Sequence, residues 1–391
     1  MKDETKVVRS GRHPERFEGV VNPPVFHAST ILSPTLEDYE RKNKLSAQGV
    51  PGTYYGRRGT STTRSLEEAV AEIEGGYRTV VYPSGLAACA GALLSFLAAG
   101  DHLLMTDTAY GPTRNVARGV LARYGVATTF YDPLIGAGIE SLIRPNTRVV
   151  YLESPGWLTF EMQDVPAIAS VAHRHGITVL IDNTWGTPLY FKPFEHGVDV
   201  SVQAATKYIV GHSDAMLGTV TCTKEAWSKL RATTYELGQT AGPDDIYLAQ
   251  RGLRTMATRL KQHWQAGMEL AQWIARQPEV ERVMHPALPG DPGYAIWKRD
   301  YRGACGLFGV VFKAISDKAF AALVDGLELY GIGASWGGFE SLVMPCKPTD
   351  YRSVTAWPHA GPCLRFHAGL EAVEDLIADL DAGFARLRAA A

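Results

Sequence analysis

Cysteine is scarce and scattered. Cys89, Cys222, Cys305, Cys346 and Cys363 are the only five, and no two stand at a C-x-x-C spacing. That removes the common zinc and dithiol motifs, so no metal is expected. Isolated thiols of this kind read as small buried hydrophobes in a reducing cytoplasm. An excess of one charge is also missing. With 39 Lys+Arg against 41 Asp+Glu, the formal net charge is −2. Nothing in that balance favours nucleic acid or an anionic membrane surface as a partner. No apolar run approaches the ~18 residues of a membrane-spanning helix. The opening Met1-Lys2-Asp3-Glu4-Thr5-Lys6 is too charged for a secretory signal. There is no internal repeat, no GxGxxG and no Walker lysine loop, which lowers nucleotide-binding readings.

What is there is an ordinary apolar fraction, 46%, spread over 391 residues. That length predicts two domains, or one large α/β domain with an appendage. Residues 1–57 show little periodicity and are punctuated by Asn22-Pro23-Pro24 and Pro51-Gly52. Their apolar and aromatic residues argue for an arm lying on another surface. Residues 58–253 alternate short apolar strands with helices. Strands are expected at 79–82, 102–105, 126–131, 148–152, 177–181, 198–202 and 216–221. Helices are expected at 86–98, 112–124 and 166–175. This rhythm predicts a mostly parallel sheet covered on both faces. Residues 254–391 change rhythm. A long helix is expected over 243–276, strands near 280–284 and 306–312, and a helix near 317–325. A last helix places Val373, Leu376, Ile377, Leu380, Phe384 and Leu387 on one face. Together these form a smaller C-terminal α/β domain.

Two residues break the apolar pattern where chemistry is expected. Asp182 ends the strand Ile177-Thr178-Val179-Leu180-Ile181, and Lys207 closes Val202-Gln203-Ala204-Ala205-Thr206-Lys207. Ligands of open α/β sheets bind beyond the carboxyl ends of strands. A lysine and an acid there suit pyridoxal 5′-phosphate (PLP), whose aldehyde needs an amine and whose ring nitrogen needs an anion. Asp182 can also be a helix cap or turn former, and a lone lysine is usually a solvated surface group. Ser84-Gly85-Leu86, between a strand and an Ala-rich helix, offers backbone N–H groups to a phosphate, or is a simple turn. Tyr110 follows a strand end and could stack on a cofactor ring or sit in a turn. Arg57 suits a phosphate or is an exposed arginine. Arg365, alone in the apolar Cys363-Leu364-Arg365-Phe366-His367, needs an anion, either a substrate carboxylate or a structural partner.

With these residues assembled, the chain resembles the Cys/Met-metabolism PLP-dependent enzymes of the aspartate-aminotransferase-like fold (fold type I). Within them it is most similar to the bacterial cystathionine β-lyases. The resemblance runs from Val21-Asn22-Pro23-Pro24-Val25 through Tyr54-Tyr55-Gly56-Arg57-Arg58-Gly59 and Glu153-Ser154-Pro155-Gly156. It continues through Asp182-Asn183-Thr184-Trp185, Gln203-Ala204-Ala205-Thr206-Lys207-Tyr208, Arg251-Gly252-Leu253-Arg254 and Ser335-Trp336-Gly337-Gly338. It implies that Lys207 forms the Schiff base and removes the Cα proton, and that Asp182 pairs with the ring nitrogen. Tyr110 stacks on the ring, while Gly85, Leu86 and Thr206 hold the phosphate. Tyr55 and Arg57 reach the neighbouring subunit's phosphate, and Tyr110 or Tyr55 is available to deliver a proton. Arg365 binds the substrate α-carboxylate, with Ser335 and Trp336 beside it. The implied assembly is a homotetramer, and the implied reaction is α,β-elimination of L-cystathionine.

The same resemblance keeps other readings open. These are γ-elimination or γ-replacement, broader lysis of cystine and other cysteine S-conjugates, and a non-catalytic protein on the same fold. Ala334 before Ser335, Trp336, Pro112 and Ala204 follow the β-lyase pattern. Trp157 is larger than that pattern expects, and Phe339 stands where Tyr is common.

Overall fold

The structure is a computed structural model describing residues 1–391. Its larger sheet has seven strands: β1 Arg78–Tyr82, β2 His102–Thr106, β3 Ala127–Tyr131, β4 Thr147–Glu153, β5 Thr178–Asp182, β6 Val200–Gln203 and β7 Gly218–Cys222. The spatial order is β1-β7-β6-β5-β4-β2-β3. Only β7 runs against its neighbours; the other pairings are parallel. β2 and β6 are buried at every position, as strands covered by helices on both faces must be. One core lies under each face. Val150, Leu152, Val179 and Ile181 point into the first. Leu103, Met105, Val149 and Leu180 point into the second.

Helix starts follow local chemistry. Ser84 caps Gly85–Phe96 by accepting from the Ala87 N–H, and Asp164 caps Val165–Arg174 in the same way. Such caps place helix N-termini just beyond the strand ends, where an anion is favoured.

The second sheet contains β8 Val280–Met284, β9 Leu307–Phe312, β10 Gly331–Ile332, β11 Leu342–Cys346 and β12 Cys363–His367, in the order β10-β11-β12-β9-β8. Helices Asp317–Val324 and Val373–Ala390 bury Leu323, Leu376, Leu380 and Phe384 in a third core with Phe308 and Phe366. A 32-residue helix, Pro243–Ile274, carries the chain from the first sheet to the second.

The first 57 residues differ from the single arm expected. Their start is docked on the same chain. Helix Asp3–Arg9 buries Val7, Lys192 pairs with Asp3 at 3.0 Å, and Arg254 donates to Val7 O and Ser10 O. Helix Leu36–Ala47 was not foreseen because its sequence is polar almost all round. From Val20 to Tyr55 the segment leaves large apolar side chains in solvent.

Candidate active site

The site is built where β2, β4, β5 and β6 end. A cavity of about 390 Å³ opens there, within the usual range for small-molecule sites. The larger sheet lends it Ser84, Gly85, Leu86, Tyr110, Glu153, Asp182 and Lys207. The segment leading from β10 to β11 lends it Ala334, Ser335 and Trp336.

Lys207 Nζ donates to Ser335 Oγ at 2.7 Å and lies 5.5 Å from the centre of the Trp336 ring. Burial and the nearby Arg365 guanidinium pull its ammonium down to about 8, with Asp182 opposing them. A readily deprotonated amine suits a Schiff-base lysine.

Asp182 is buried, and burial raises its carboxyl despite the hydrogen bonds from Thr184. Oδ1 takes the Thr184 N–H at 3.0 Å and its hydroxyl at 2.5 Å. Oδ2 has only the Cys89 thiol, at 3.8 Å. One oxygen therefore remains for a cationic N–H in the cavity. That is the group a protonated pyridine ring presents.

The phosphate end has its own fit. A Cβ on Gly85 would stand 2.6 Å from the Ala204 Cβ. The helix start and the segment after β6 thus meet closely because both residues are small. Thr206 lines the cavity, but its hydroxyl is engaged with Leu217, donating to O at 3.1 Å and accepting from N at 2.8 Å.

Arg365 supplies a cation for an α-carboxylate. It is buried, and Nη2 donates to Ala334 O at 3.1 Å. Nη1 is buried without a partner. A buried guanidinium with an orphaned donor is costly unless an anion meets it.

Tyr55 and Arg57 are not brought to this cavity. Tyr55 is 45% exposed, and Arg57 Nη1 donates to Tyr235 O at 2.9 Å.

Glu153 is a site residue that sequence reasoning left without a role. It stands in register with Asp182 across parallel strands and accepts the Tyr110 N–H at 2.6 Å. Burial and then Asp182 raise its carboxyl well above the ordinary range. Glu153 fixes the backbone at Tyr110, and its charge is disfavoured there by burial and by Asp182 beside it. Two acids ending adjacent strands were the available signal.

The fold and the site together define a PLP-dependent enzyme of fold type I. The family described as Cys/Met metabolism PLP-dependent enzyme matches residues 4–385, and the chain belongs to it. The chain is 47% identical over 385 residues to a putative cystathionine beta-lyase of Rhizobium johnstonii, covering 97% of this chain and 95% of that one. It is 43% identical over 390 residues to the cystathionine beta-lyase MetC of Escherichia coli, covering 98% of each. Among solved structures it is similar to metB from Corynebacterium glutamicum, with TM-score 0.89 and 26% identity, covering 99% and 98% of the two chains.

Proposed function

We propose that this protein is a carbon–sulfur lyase that cleaves L-cystathionine at the Cβ–S bond. The products are homocysteine, pyruvate and ammonia, and the role is in methionine biosynthesis. The observation that carries the reading is the pairing of Lys207 with Ser335 beside Arg365 and its unpartnered Nη1. It sets an amine and a carboxylate receptor at one amino-acid-sized site. Relatives named as β-lyases at 43% and 47% identity support β over γ chemistry.

The residues take these roles. Gly85, Leu86 and Thr206 hold the phosphate of PLP, Asp182 faces its ring nitrogen, and Tyr110 lies against the ring. Bound PLP supplies an electron sink for the pair left at Cα. Arg365 holds the substrate α-carboxylate. Lys207, with Ser335 as hydrogen-bond partner, removes the Cα proton. Lys207 or a tyrosine, Tyr110 or the partner's Tyr55, protonates the departing thiolate. Such general acid–base assistance contributes typically ~10²–10⁴ in rate.

The assembly proposed is a homotetramer in which each arm, with Tyr55 and Arg57, completes a neighbour's site. Exposed apolar residues between Val20 and Tyr55 support this. The division of labour follows: residues 1–57 as arm, 58–253 as PLP-binding domain, and 254–391 as C-terminal domain. The proposed location is the cytoplasm. No helix is long and apolar enough to cross a membrane. Five scattered cysteines with no C-x-x-C spacing suit a reducing compartment.

Product analysis on L-cystathionine tests the reaction. Pyruvate with homocysteine is expected; 2-oxobutyrate with cysteine would establish γ-elimination instead. Light scattering tests the assembly, with a mass near four times 42.6 kDa expected.

A further inference from the structure

Strand β12 carries a second polar residue besides the carboxylate receptor. Arg365 and His367 stand two apart on it, so their side chains share one face. His367 is buried and does not line the cavity. Its Nε2 accepts the Gly337 N–H at 3.0 Å, and no other acceptor meets that N–H. Gly337 follows Ser335 and Trp336 in the segment between β10 and β11, and it packs directly on Lys207. A Cβ there would stand 3.0 Å from Lys207 C and 3.1 Å from its Cα, and the backbone has φ +83°. Only glycine suits both demands.

The other ties of this segment lie at its ends. At its start, Arg365 Nη2 donates to Ala334 O at 3.1 Å. At its far end, Ser341 N and Oγ each donate to Glu371 at 2.8 Å, and Leu370 N donates to Phe339 O at 2.8 Å. From Trp336 to Gly338, His367 is the only side chain within hydrogen-bonding distance of the backbone. The middle of the segment, next to Ser335, therefore hangs on one imidazole.

That bond requires one tautomer. Nε2 must offer a lone pair, so a neutral His367 carries its proton on Nδ1. A proton on Nε2 would face Gly338 O, 3.2 Å away, and would leave the buried Gly337 N–H unpaired. The ring behind supplies the match. His263 Nδ1 lies 2.8 Å from Ala368 O and must donate, which leaves a lone pair on its Nε2. His263 Nε2 and His367 Nδ1 are both buried without a partner, on rings whose centres are 5.1 Å apart. One has a lone pair to offer and the other a proton. Burial, and then the His263 ring, hold His367 well below the ordinary histidine range, so it stays neutral. Tyr208, next to Lys207, packs edge-on against both imidazoles and against Trp336.

We infer that His367 is a positioning residue: by accepting the Gly337 N–H it sets the Ser335–Trp336 segment so that Ser335 Oγ meets Lys207 Nζ. It acts only through that segment. The inference rests on the roles proposed for Lys207 and Ser335 in β-elimination. β12 then serves the site twice, with Arg365 for the α-carboxylate and His367 for the placing of the amine that takes the Cα proton.

The test compares PLP-loaded His367→Phe, His367→Gln, Ser335→Ala and the Ser335→Ala/His367→Phe double variant on L-cystathionine. Phenylalanine fills the space but accepts no hydrogen bond, whereas the glutamine amide keeps an acceptor near the place of Nε2. His367→Phe should lower kcat about 10- to 100-fold, the scale of a ~1 Å misplacement at a reacting centre. KM should change less, because Arg365 remains. His367→Gln should regain most of the loss. In the Ser335→Ala background, His367→Phe should cost no more than about threefold further, since the segment has no hydroxyl left to place. If His367→Phe fails to load PLP, His367→Asn, whose shorter amide does not reach Gly337, carries the same expectation. Wild-type kcat in PLP-loaded His367→Phe, or losses that multiply fully in the double variant, overturn the inference while leaving β-elimination standing. Absence of pyruvate from cystathionine in the wild type overturns β-elimination and this inference with it.

Discussion

The floor of the cavity and the outer part of the arm are opposites. Asp182, Glu153 and Arg365 are buried ionisable groups, each held by strand register and by named hydrogen bonds. Between Val20 and Tyr55 the reverse holds: Leu32 is 82% exposed, and Val21, Phe26, Leu36 and Tyr39 stand in solvent with it. Burying charge is costly and is tolerated where a ligand or a reaction needs it. Exposing a run of large apolar residues marks a surface that another surface covers. The floor is therefore finished within one chain, whereas the outer arm leaves apolar surface uncovered, as the proposed assembly requires.

The most damaging way to break the floor is Lys207→Ala. Loss of ~10³-fold or more in kcat is expected, consistent with loss of general-base help, together with loss of the visible absorbance of lysine-bound PLP. Retention of full turnover would remove Lys207 from the mechanism. Arg365→Ala should act more on binding. Removing a buried charged partner costs about 2–5 kcal/mol, so kcat/KM for cystathionine should fall at least ~30-fold while PLP absorbance persists.

The arm is tested by mixing subunits. Lys207→Ala and Arg57→Ala homo-oligomers should each be weak. In random hybrids of a shared-site dimer, half the pairs are mixed and one site in each is intact, so about a quarter of wild-type activity should return. No recovery after verified mixing means that Arg57 serves its own chain.

Legibility in the sequence followed the same divide. Lys207, Asp182 and Arg365 could be read because each interrupts an apolar strand pattern where a buried charge demands a reason. The strands of the larger sheet were readable for the same cause, since burial on both faces leaves continuous apolar runs. Helix Leu36–Ala47 was not, because a polar helix has no stripe to betray it. Glu153 was visible as a motif member, yet its link to Tyr110 depends on the pairing of β4 with β2. Tyr351 lies far along the chain from Trp157, and their rings meet only because the connection between β11 and β12 folds back onto the loop after β4. Contacts made by folding across such separations leave no local pattern. The docking of Asp3–Arg9 on its own chain is of this kind too, which is why residues 1–57 read as one arm and fold as two parts.

The smallest effect sharpens the floor itself, through the cofactor-free protein. Lys207 sits at about 8 in the folded chain because burial and Arg365 disfavour its charge, whereas an unfolded lysine titrates near 10.4. Between those values the unfolded chain binds more protons, so stability must rise with pH there. Below about 8 both states carry the charge, and the folded state bears the full penalty of holding it in the cavity, about 3 kcal/mol at most. Lys207→Met removes that penalty at every pH. Urea melts of PLP-free protein should therefore show the variant more stable than wild type at pH 7. The gap should close as pH climbs from about 8 towards 10.5. A gap that stays constant across the window would mean that Lys207 is solvated before PLP arrives, and that the cofactor rather than the fold creates its reactive amine.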